Sequence, residues 1–359
     1  VQAVQADWVD LQQRANCSYF LSWGWVGAWL EQIALPLRPI VLQVRVDAEL
    51  VGMGMLVSKD IHRRGLIHAR AMFLNEYPFE GRNMVIEYNG LLCARGHKHG
   101  VYGAVVQYLL NEYPGHDEFH FGAVDEDCMS HLAAVPLKNA DCIVDETSST
   151  WSVELDAVAE GVDGYLDSLS RNRRTQLRRC LRLYQEQGQL HTDVASSLDQ
   201  ALRFFGRLKA LHTERWRASG KQGAFANPQW EAFHRSLISS RFHSGEIQLL
   251  RVRAGNEDIG YLYNFIWRKR VYVLQTGFAL SEDKRLMPGY TVHVMAIAYN
   301  KQRGVRVYDL LHGDSLYKQI LCNRHSKLHW VVVRRRKYKF MLEDMAVRMV
   351  RSYRRQRCQ

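Results

Sequence analysis

Gln248 to Tyr263 reads QLLRVRAGNEDIGYLY, and Val41 to Met55 reads VLQVRVDAELVGMGM. Each is an apolar-alternating strand, a polar turn, and a second strand that opens on a glycine. Alternation with period two marks a half-buried strand, and a short polar or glycine-bearing turn between two such runs marks a hairpin. The elements downstream of each copy also correspond: another strand, a helix led in by a glycine-containing loop, and a further strand. The spacing is far longer than the 20 to 50 residues of a solenoid repeat. It predicts two related domains, and it raises the question of which copy is functional.

Around the second copy, strands are predicted at Ile247 to Ala254, Asp258 to Trp267 and Arg270 to Phe278, with tight turns at Gly255-Asn256 and Arg268-Lys269. A long basic helix at Val162 to Gln187, a strand at Leu190 to Val194, and helices at Leu198 to Ala218 and Pro228 to Phe242 precede them. A helix from Gly289 to Gln302, a strand Val305 to Leu311, a short helix through Tyr317 and a strand His329 to Arg334 come after. The crossover from third strand to helix to next strand would place two parallel strands side by side. Their carboxyl ends are where an open sheet admits a ligand. In the first half the matching elements are a helix at Tyr19 to Gln32, strands at Pro39 to Val46, Leu50 to Ser58 and Leu66 to Phe73, a helix at His97 to Asn111, a strand at Phe119 to Ala123, a short helix at Asp127 to Ala134 and a strand at Ala140 to Val144. The polar stretch Asp145 to Thr150 reads as a boundary, which gives domains 1–150 and 151–338 and a basic C-terminal helix 339–359.

Bulk properties narrow the function. The chain has 359 residues, enough for two ordinary domains. Its seven cysteines are odd in number, scattered, and never paired as CxxC, the usage of a reduced compartment rather than of a disulfide framework. No apolar run reaches the ~18 to 20 residues of a spanning helix. The opening VQAVQADWVD lacks a basic leader and an apolar core, so a cytoplasmic location is expected. His97 and His99 in GHKHG have no cysteine or carboxylate partners at ligand spacing and read as helix-start surface residues, so no metal is expected. A net charge of +11 points to an anionic partner without naming it. There is no GxSxG elbow, Walker loop or HExxH, which lowers hydrolase, nucleotidase and metalloenzyme readings.

The element order resembles that of the GNAT acyltransferase fold, a mixed α/β (α+β) architecture whose mostly antiparallel sheet is flanked by helices, here twice in tandem. The second half is similar to the acetyltransferase-like domain of cellulose- and exopolysaccharide-biosynthesis-associated proteins, relatives of the Fem-type aminoacyl transferases. The residues that carry this are SLSRNRRTQLRR (Ser168 to Arg179), Trp216, GAF (Gly223 to Phe225), IGYLYNF (Ile259 to Phe265), VYVLQTGF (Val271 to Phe278), Pro288-Gly289 and YDLLHGDSLYK (Tyr308 to Lys318). The resemblance implies acyl transfer from a thioester to an amine or hydroxyl of a small-molecule or saccharide acceptor. The donor it implies is acetyl-CoA or a longer acyl-CoA, with an acyl carrier protein or aminoacyl-tRNA as the alternative; a non-catalytic binding module in envelope or polysaccharide assembly is a further alternative.

The residues themselves offer a matching chemistry. A pyrophosphate needs backbone N–H groups at a helix start, and the loop Lys284, Arg285, Leu286, Met287, Pro288, Gly289, Tyr290, Thr291 sits in that place. It has one glycine only, and Pro288 removes a donor. Gln275, Thr276 and Gly277 on the third strand would lie beside the thioester, where N–H groups polarise a carbonyl. Tyr308, Asp309, His312, Asp314, Tyr317 and Lys318 bring carboxylates, an imidazole, a phenol and an amine to one loop; His312 suits proton transfer near neutrality. Asp309 capping the next turn and Lys318 pairing with it are the structural alternative. Glu87, Tyr88, Asn89, Tyr263 and Asn264 are assigned to the acceptor side; for Glu87, Tyr88 and Asn89 a helix-capping or interdomain structural role is the alternative. Arg171, Arg174, Arg178 and Arg182 share a helix face, either a docking rail or a solvated surface. In the tail, Met341, Met345 and Val350 form a stripe beside Arg348, Arg351, Arg354 and Arg355, which either lies on an anionic membrane or carrier protein or packs on its own domain.

Overall fold

The computed structural model describes residues 2–32, 39–63, 67–76, 86–283 and 285–357, with side chains to 349. Leu66, Lys284 and the side chains of Val350, Arg351, Arg354 and Arg355 lie outside the described residues.

In chain order the elements are α1 (Gln2–Arg14), α2 (Trp23–Gln32), β1 (Ile40–Val46), β2 (Glu49–Arg63), β3 (Ile67–Leu74), β4 (Leu92–Cys93), α3 (Lys98–Glu112), β5 (Glu118–Asp125), α4 (Glu126–Ala133) and β6 (Ala140–Glu154). Then come α5 (Gly161–Asp167), α6 (Arg171–Gln185), β7 (Leu190–Val194), α7 (Leu198–Ala218), α8 (Pro228–Arg241), β8 (Ile247–Ala254), β9 (Glu257–Trp267) and β10 (Arg270–Phe278). The chain closes with α9 (Pro288–Gln302), β11 (Val307–His312), α10 (Leu316–Leu321), β12 (Arg324–Arg335) and α11 (Tyr338–Arg357). They form two compact units, Val1–Trp23 with Ile33–Thr147 and Leu328–Gln359, and Gly24–Gln32 with Ser148–Lys327.

The first unit orders its strands β1-β2-β3-β5-β12, with β4 beside β2. Hairpin β1–β2 turns through Asp47 and Ala48, both with positive φ (46° and 69°). Two left-handed residues match the right-handed twist of the flanking strands. The core gathers Trp8, Leu11, Met53, Met55, Tyr102, Phe119 and Phe121, all nearly inaccessible. α11 anchors through buried Phe340, whose ring lies 5.1 Å from the Arg334 guanidinium and 4.9 Å from the Lys339 ammonium.

The second unit orders its strands β6-β11-β10-β9-β8-β7. The meander β8–β9–β10 turns at Gly255 and again at Arg268-Lys269 (φ 49° and 62°). One side of this sheet is covered by α5, α6 and α9 through Leu166, Leu177, Leu181, Val292 and Ile297; α7 and α8 pack on the other through Phe204, Phe205 and His234. Asn227 caps α8, its side chain accepting from the Gln229 N–H at 3.0 Å, with Pro228 in the first turn.

Two sequence expectations are corrected, one element is new, and the compact units divide the chain differently. The stretch Asp145 to Thr150 lies inside the fifteen-residue strand β6, because cross-strand partners override its turn-like composition. The long basic helix is two, α5 and α6, parted at Ser168 to Ser170. A helix at Gln2–Arg14 precedes the elements expected from the pattern. The division also differs from cuts at 150 and 338. β12 from Leu328 onward and α11 join the first unit, while Gly24–Gln32 join the second, where Trp25 packs edge-on against Phe233 (5.1 Å) and Phe265 (5.7 Å).

Candidate active site

Strands β10 and β11 run parallel and in register for three pairs, Arg270↔Val307, Val271↔Tyr308 and Tyr272↔Asp309, and no pair follows. Immediately beyond, both strands slip register against their other neighbours, β10 between Val273 and Gln275 and β11 between Asp309 and His312. Leu311 takes φ 63° there. A bulge adds a residue and bends its strand. Two bulges at the same level of adjacent parallel strands make them part.

Asp309 and Lys318 hold this parting in place. The fully buried Asp309 carboxylate accepts from Arg270 Nε at 3.1 Å and lies 3.0 Å from its Nη2, and its other oxygen accepts from the Leu311 N–H at 2.7 Å. It therefore caps the bulge. Lys318, also buried, donates to the Leu311 carbonyl (3.2 Å) and to the His312 carbonyl. His312 is half-buried and Asp314 exposed. Tyr317 is half-buried, stacks on His293 (5.5 Å, 14°), and burial pushes its phenol up to about 12.

On β10, the Thr276 N–H donates to its neighbour's Gln275 Oε1 at 3.0 Å, and the Thr276 carbonyl accepts from His212 Nδ1 at 3.1 Å. That bond leaves the lone pair on His212 Nε2, which is buried and lacks a hydrogen-bond partner. Burial, with the Arg215 charge adding to it, lowers the affinity of His212 for a proton. Gly277 serves packing, since a Cβ there would run into the carbonyl oxygen of Leu208 and lie 2.9 Å from its Cα. The glycine lets α7 approach β10, where the sequence pattern alone allowed a ligand contact instead.

At the start of α9, Pro288 occupies the first turn. Gly289 faces Phe278, which a Cβ would meet at 3.2 Å, Tyr290 is half-buried, and the buried Thr291 Oγ1 has no hydrogen-bond partner. An open groove of about 650 Å³ runs between this loop and α6, lined by Arg171, Thr175 and Arg179 from one and by Arg285 and Met287 from the other. Arg285 is tied to Asp283 (2.7 Å). The basic row of α6 is divided: Arg174 and Arg178 bond Asp167 of α5 (3.1 and 3.0 Å), while Arg171 and Arg179 turn to the groove. Their i, i+4, i+8 spacing through Thr175 is legible in the sequence. The row of four arginines read from the sequence included Arg171 and passed over Arg179.

Tyr263 and Asn264 are fully buried and belong to the scaffold. Tyr263 Oη lies 3.3 Å from His234 Nδ1, and Asn264 donates to Gln248 (2.8 Å), which donates to Asn300 (3.0 Å). His293, unremarked in the sequence, sits in α9 with Nδ1 3.0 Å from Tyr308 Oη; burial lowers its pKa to about 3.

The first unit contains the same device in closed form. β3 and β5 pair in parallel at Ala71↔Glu118, Met72↔Phe119 and Phe73↔His120, and Ala123 takes φ 50°. Here Asn89 fills the gap: its N–H donates to Ala123 O (3.1 Å) and its Nδ2 to Leu74 O (2.9 Å). Asn75 Nδ2 reaches Asn89 Oδ1 (3.0 Å) and Gly90 O (2.8 Å), while Asn75 Oδ1 accepts from the Met55 N–H (2.9 Å). Glu87 is buried, and Tyr88 takes φ 49°, its carbonyl bonded by Ser18. The segment assigned to the acceptor side thus forms a plug.

Among the described residues, no group of three or more His, Cys, Asp or Glu side chains is placed to hold a metal ion, and no helix is long and apolar enough to cross a membrane.

Residues 171–319 match the model of the family described as Acetyltransferase (GNAT) domain. That segment is similar to such a domain, and it is the part of the chain that contains the groove and the parted strands. No curated protein sequence matches the chain. Solved structures share its fold. FemX is 12% identical, covers 91% of this chain and 95% of its own, and superposes with a TM-score of 0.57. The C-terminal domain of a protein described as a putative lysylphosphatidylglycerol synthetase, from Agrobacterium fabrum, is 12% identical over 96% of this chain and 95% of its own, with a TM-score of 0.56. L-PGS from Bacillus licheniformis is 8% identical over 92% of each chain, with a TM-score of 0.53. The mixed, mostly antiparallel sheets flanked by helices are thus of the kind that the sequence predicted.

Proposed function

We propose that the second unit transfers an acyl group from a thioester donor to an amine or hydroxyl acceptor, and that the first unit is a closed, degenerate copy. The carrying observation is the parting of β10 and β11 after Tyr272↔Asp309, with the basic groove of Arg171, Arg179 and Arg285 at the start of the helix that connects them.

The residues present fit an acyl-CoA. Its pyrophosphate is a dianion that suits a helix start backed by arginines, and Arg171 and Arg179 would hold it. The group supplies an activated carbonyl and a thiolate leaving group. The acceptor nitrogen or oxygen forms the new bond to the carbonyl carbon, the C–S bond breaks, and the acceptor's proton goes to a base, for which His312 at the parting is the candidate. Tyr317, its phenol kept protonated by burial, would donate a hydrogen bond to the departing sulfur. Thr276 would present its N–H to the carbonyl oxygen once Gln275 releases it. Asp309 and Lys318 act through the backbone as positioning residues, as do Gly277 and Gly289 through packing.

The single glycine and Pro288 favour a second donor reading, an acyl carrier protein or aminoacyl-tRNA; the net charge of +11 and the fold shared with FemX and the lysylphosphatidylglycerol synthetase support it. A saccharide acceptor, a role in polysaccharide assembly and a cytoplasmic location rest on the family resemblance of the second half.

Thermal melting with CoA, acetyl-CoA and long-chain acyl-CoA tests the donor. At 100 times Kd, binding adds about 2.7 kcal/mol and raises the midpoint. Arg171→Ala with Arg179→Ala should abolish the shift, and Arg178→Ala should leave it. An absent shift with all three ligands, together with competition by an acyl carrier protein or charged tRNA in a transfer assay, would move the donor to the second reading. No transfer with any carrier would leave the chain a binding module.

A further inference from the structure

α11 has its amphipathicity turned inside out. Tyr338, Met341, Leu342, Met345 and Met349 fall at spacings of three and four on one helix face, and all five are exposed, Met345 least at 52% and Tyr338 most at 85%. The opposite face carries the helix's two acids. Glu343 is buried and bonds Arg63 at 2.9 Å, and Asp344 bonds Arg334 at 2.6 Å. Phe340 sits among Arg63, Arg334 and Lys339. A helix packed only for stability places its apolar residues inward and its acids in water. This one neutralises its acids against its own unit and shows methionine, leucine and tyrosine outward. Of the stripe Met341, Met345 and Val350 that the sequence offers, the two described side chains, Met341 and Met345, are exposed instead of packed on their own domain.

We infer that the outer face of α11 lies on an anionic lipid bilayer. Charge selects the bilayer over a second copy of the chain. Exposed Arg348 flanks the stripe, and the sequence adds Arg351, Arg354, Arg355 and Arg357 with no Asp or Glu after Asp344. Two such helices brought face to face would repel each other, whereas acidic headgroups complement the row while the stripe enters the acyl boundary. Unbranched methionines adapt to a fluid surface. The inference is independent of acyl transfer: it concerns a face of the first unit and requires no turnover.

The experiment is flotation of the full chain with vesicles of phosphatidylcholine alone and of phosphatidylcholine with a quarter phosphatidylglycerol, at 0.1 and 0.5 M NaCl. Binding is expected to the anionic vesicles only and at low salt, reduced at least tenfold by Met341→Asp with Met345→Asp. Arg348→Glu should cost more than the about fivefold attributed to one basic residue at the surface, because it also adds an anion. The substituted side chains are exposed, so an unchanged melting midpoint shows that the variants stay folded. Equal recovery with neutral and anionic vesicles, binding undiminished by the methionine pair, or a dimer in solution that the same pair dissolves while vesicle binding is absent would each overturn the inference.

Discussion

Two buried imidazoles give the second unit a pH signature. Burial lowers His234 and His293 to about 3, so both stay neutral in the fold, whereas an unfolded histidine takes a proton near 6.5. Between about pH 6.5 and 3 the unfolded chain binds more protons, and stability falls as pH falls, by about 1.4 kcal/mol per unit for each imidazole. Above pH 6.5 neither contributes. Unfolding free energies from urea titrations at pH 7.5 and 5.0 should therefore differ by about 2 kcal/mol per histidine, and His234→Phe should remove its share of the slope. Asp309 offers a second test. Its removal takes away the carboxylate that Arg270, a third exposed, bonds and uncaps Leu311, so Asp309→Ala should cost about 1 to 3 kcal/mol in urea unfolding, discounted for the arginine's access to water. A loss of activity without that loss of stability would mark Asp309 as a chemical group and not a positioning one. Both roles were open from sequence, because a carboxylate at a strand end is equally suited to capping and to catalysis.

Elements with nearly the same sequence pattern behave differently in the two units. Parallel strands part after three pairs in each, yet one gap is filled by Asn89 and Asn75. Asn89→Ala would remove the donor to the Leu74 carbonyl and the acceptor of one of the two Asn75 amide hydrogens in a buried setting, at a cost of about 2 to 4 kcal/mol in chemical denaturation. Its effect on the proposed transfer by the second unit should be small, and a larger loss of kcat than of stability would contradict the reading of the first unit as a closed copy. The meander β8–β10 and the helices α7, α8 and α9 were legible within a residue or two, since period-two and period-3.6 patterns are local, whereas β2 runs on to Arg63, beyond the Ser58 at which it was expected to end. The break between α5 and α6 was missed because Leu169 continued the apolar spacing across it, and β6 because its exposed half has the composition of a loop.

Across the full chain, each unit is completed by residues from the other half of the sequence. β5 pairs with β12 at Phe121↔Val331, His120↔Val332 and Phe119↔Val333, some two hundred residues away. A fragment of residues 1–150 lacks that strand and α11, and should show no cooperative melt; mixing with residues 151–359 should restore one. A cooperative transition in the isolated fragment would refute the arrangement. The repeat and the mixed α/β class are written in the sequence alone, because alternation, turn chemistry and helix starts are set by neighbours within a few residues. Which repeat stays open, which arginines of α6 meet the groove, which unit β12 completes and which face of α11 turns outward were settled by tertiary packing, because each depends on partners far apart in the chain whose meeting no local pattern encodes.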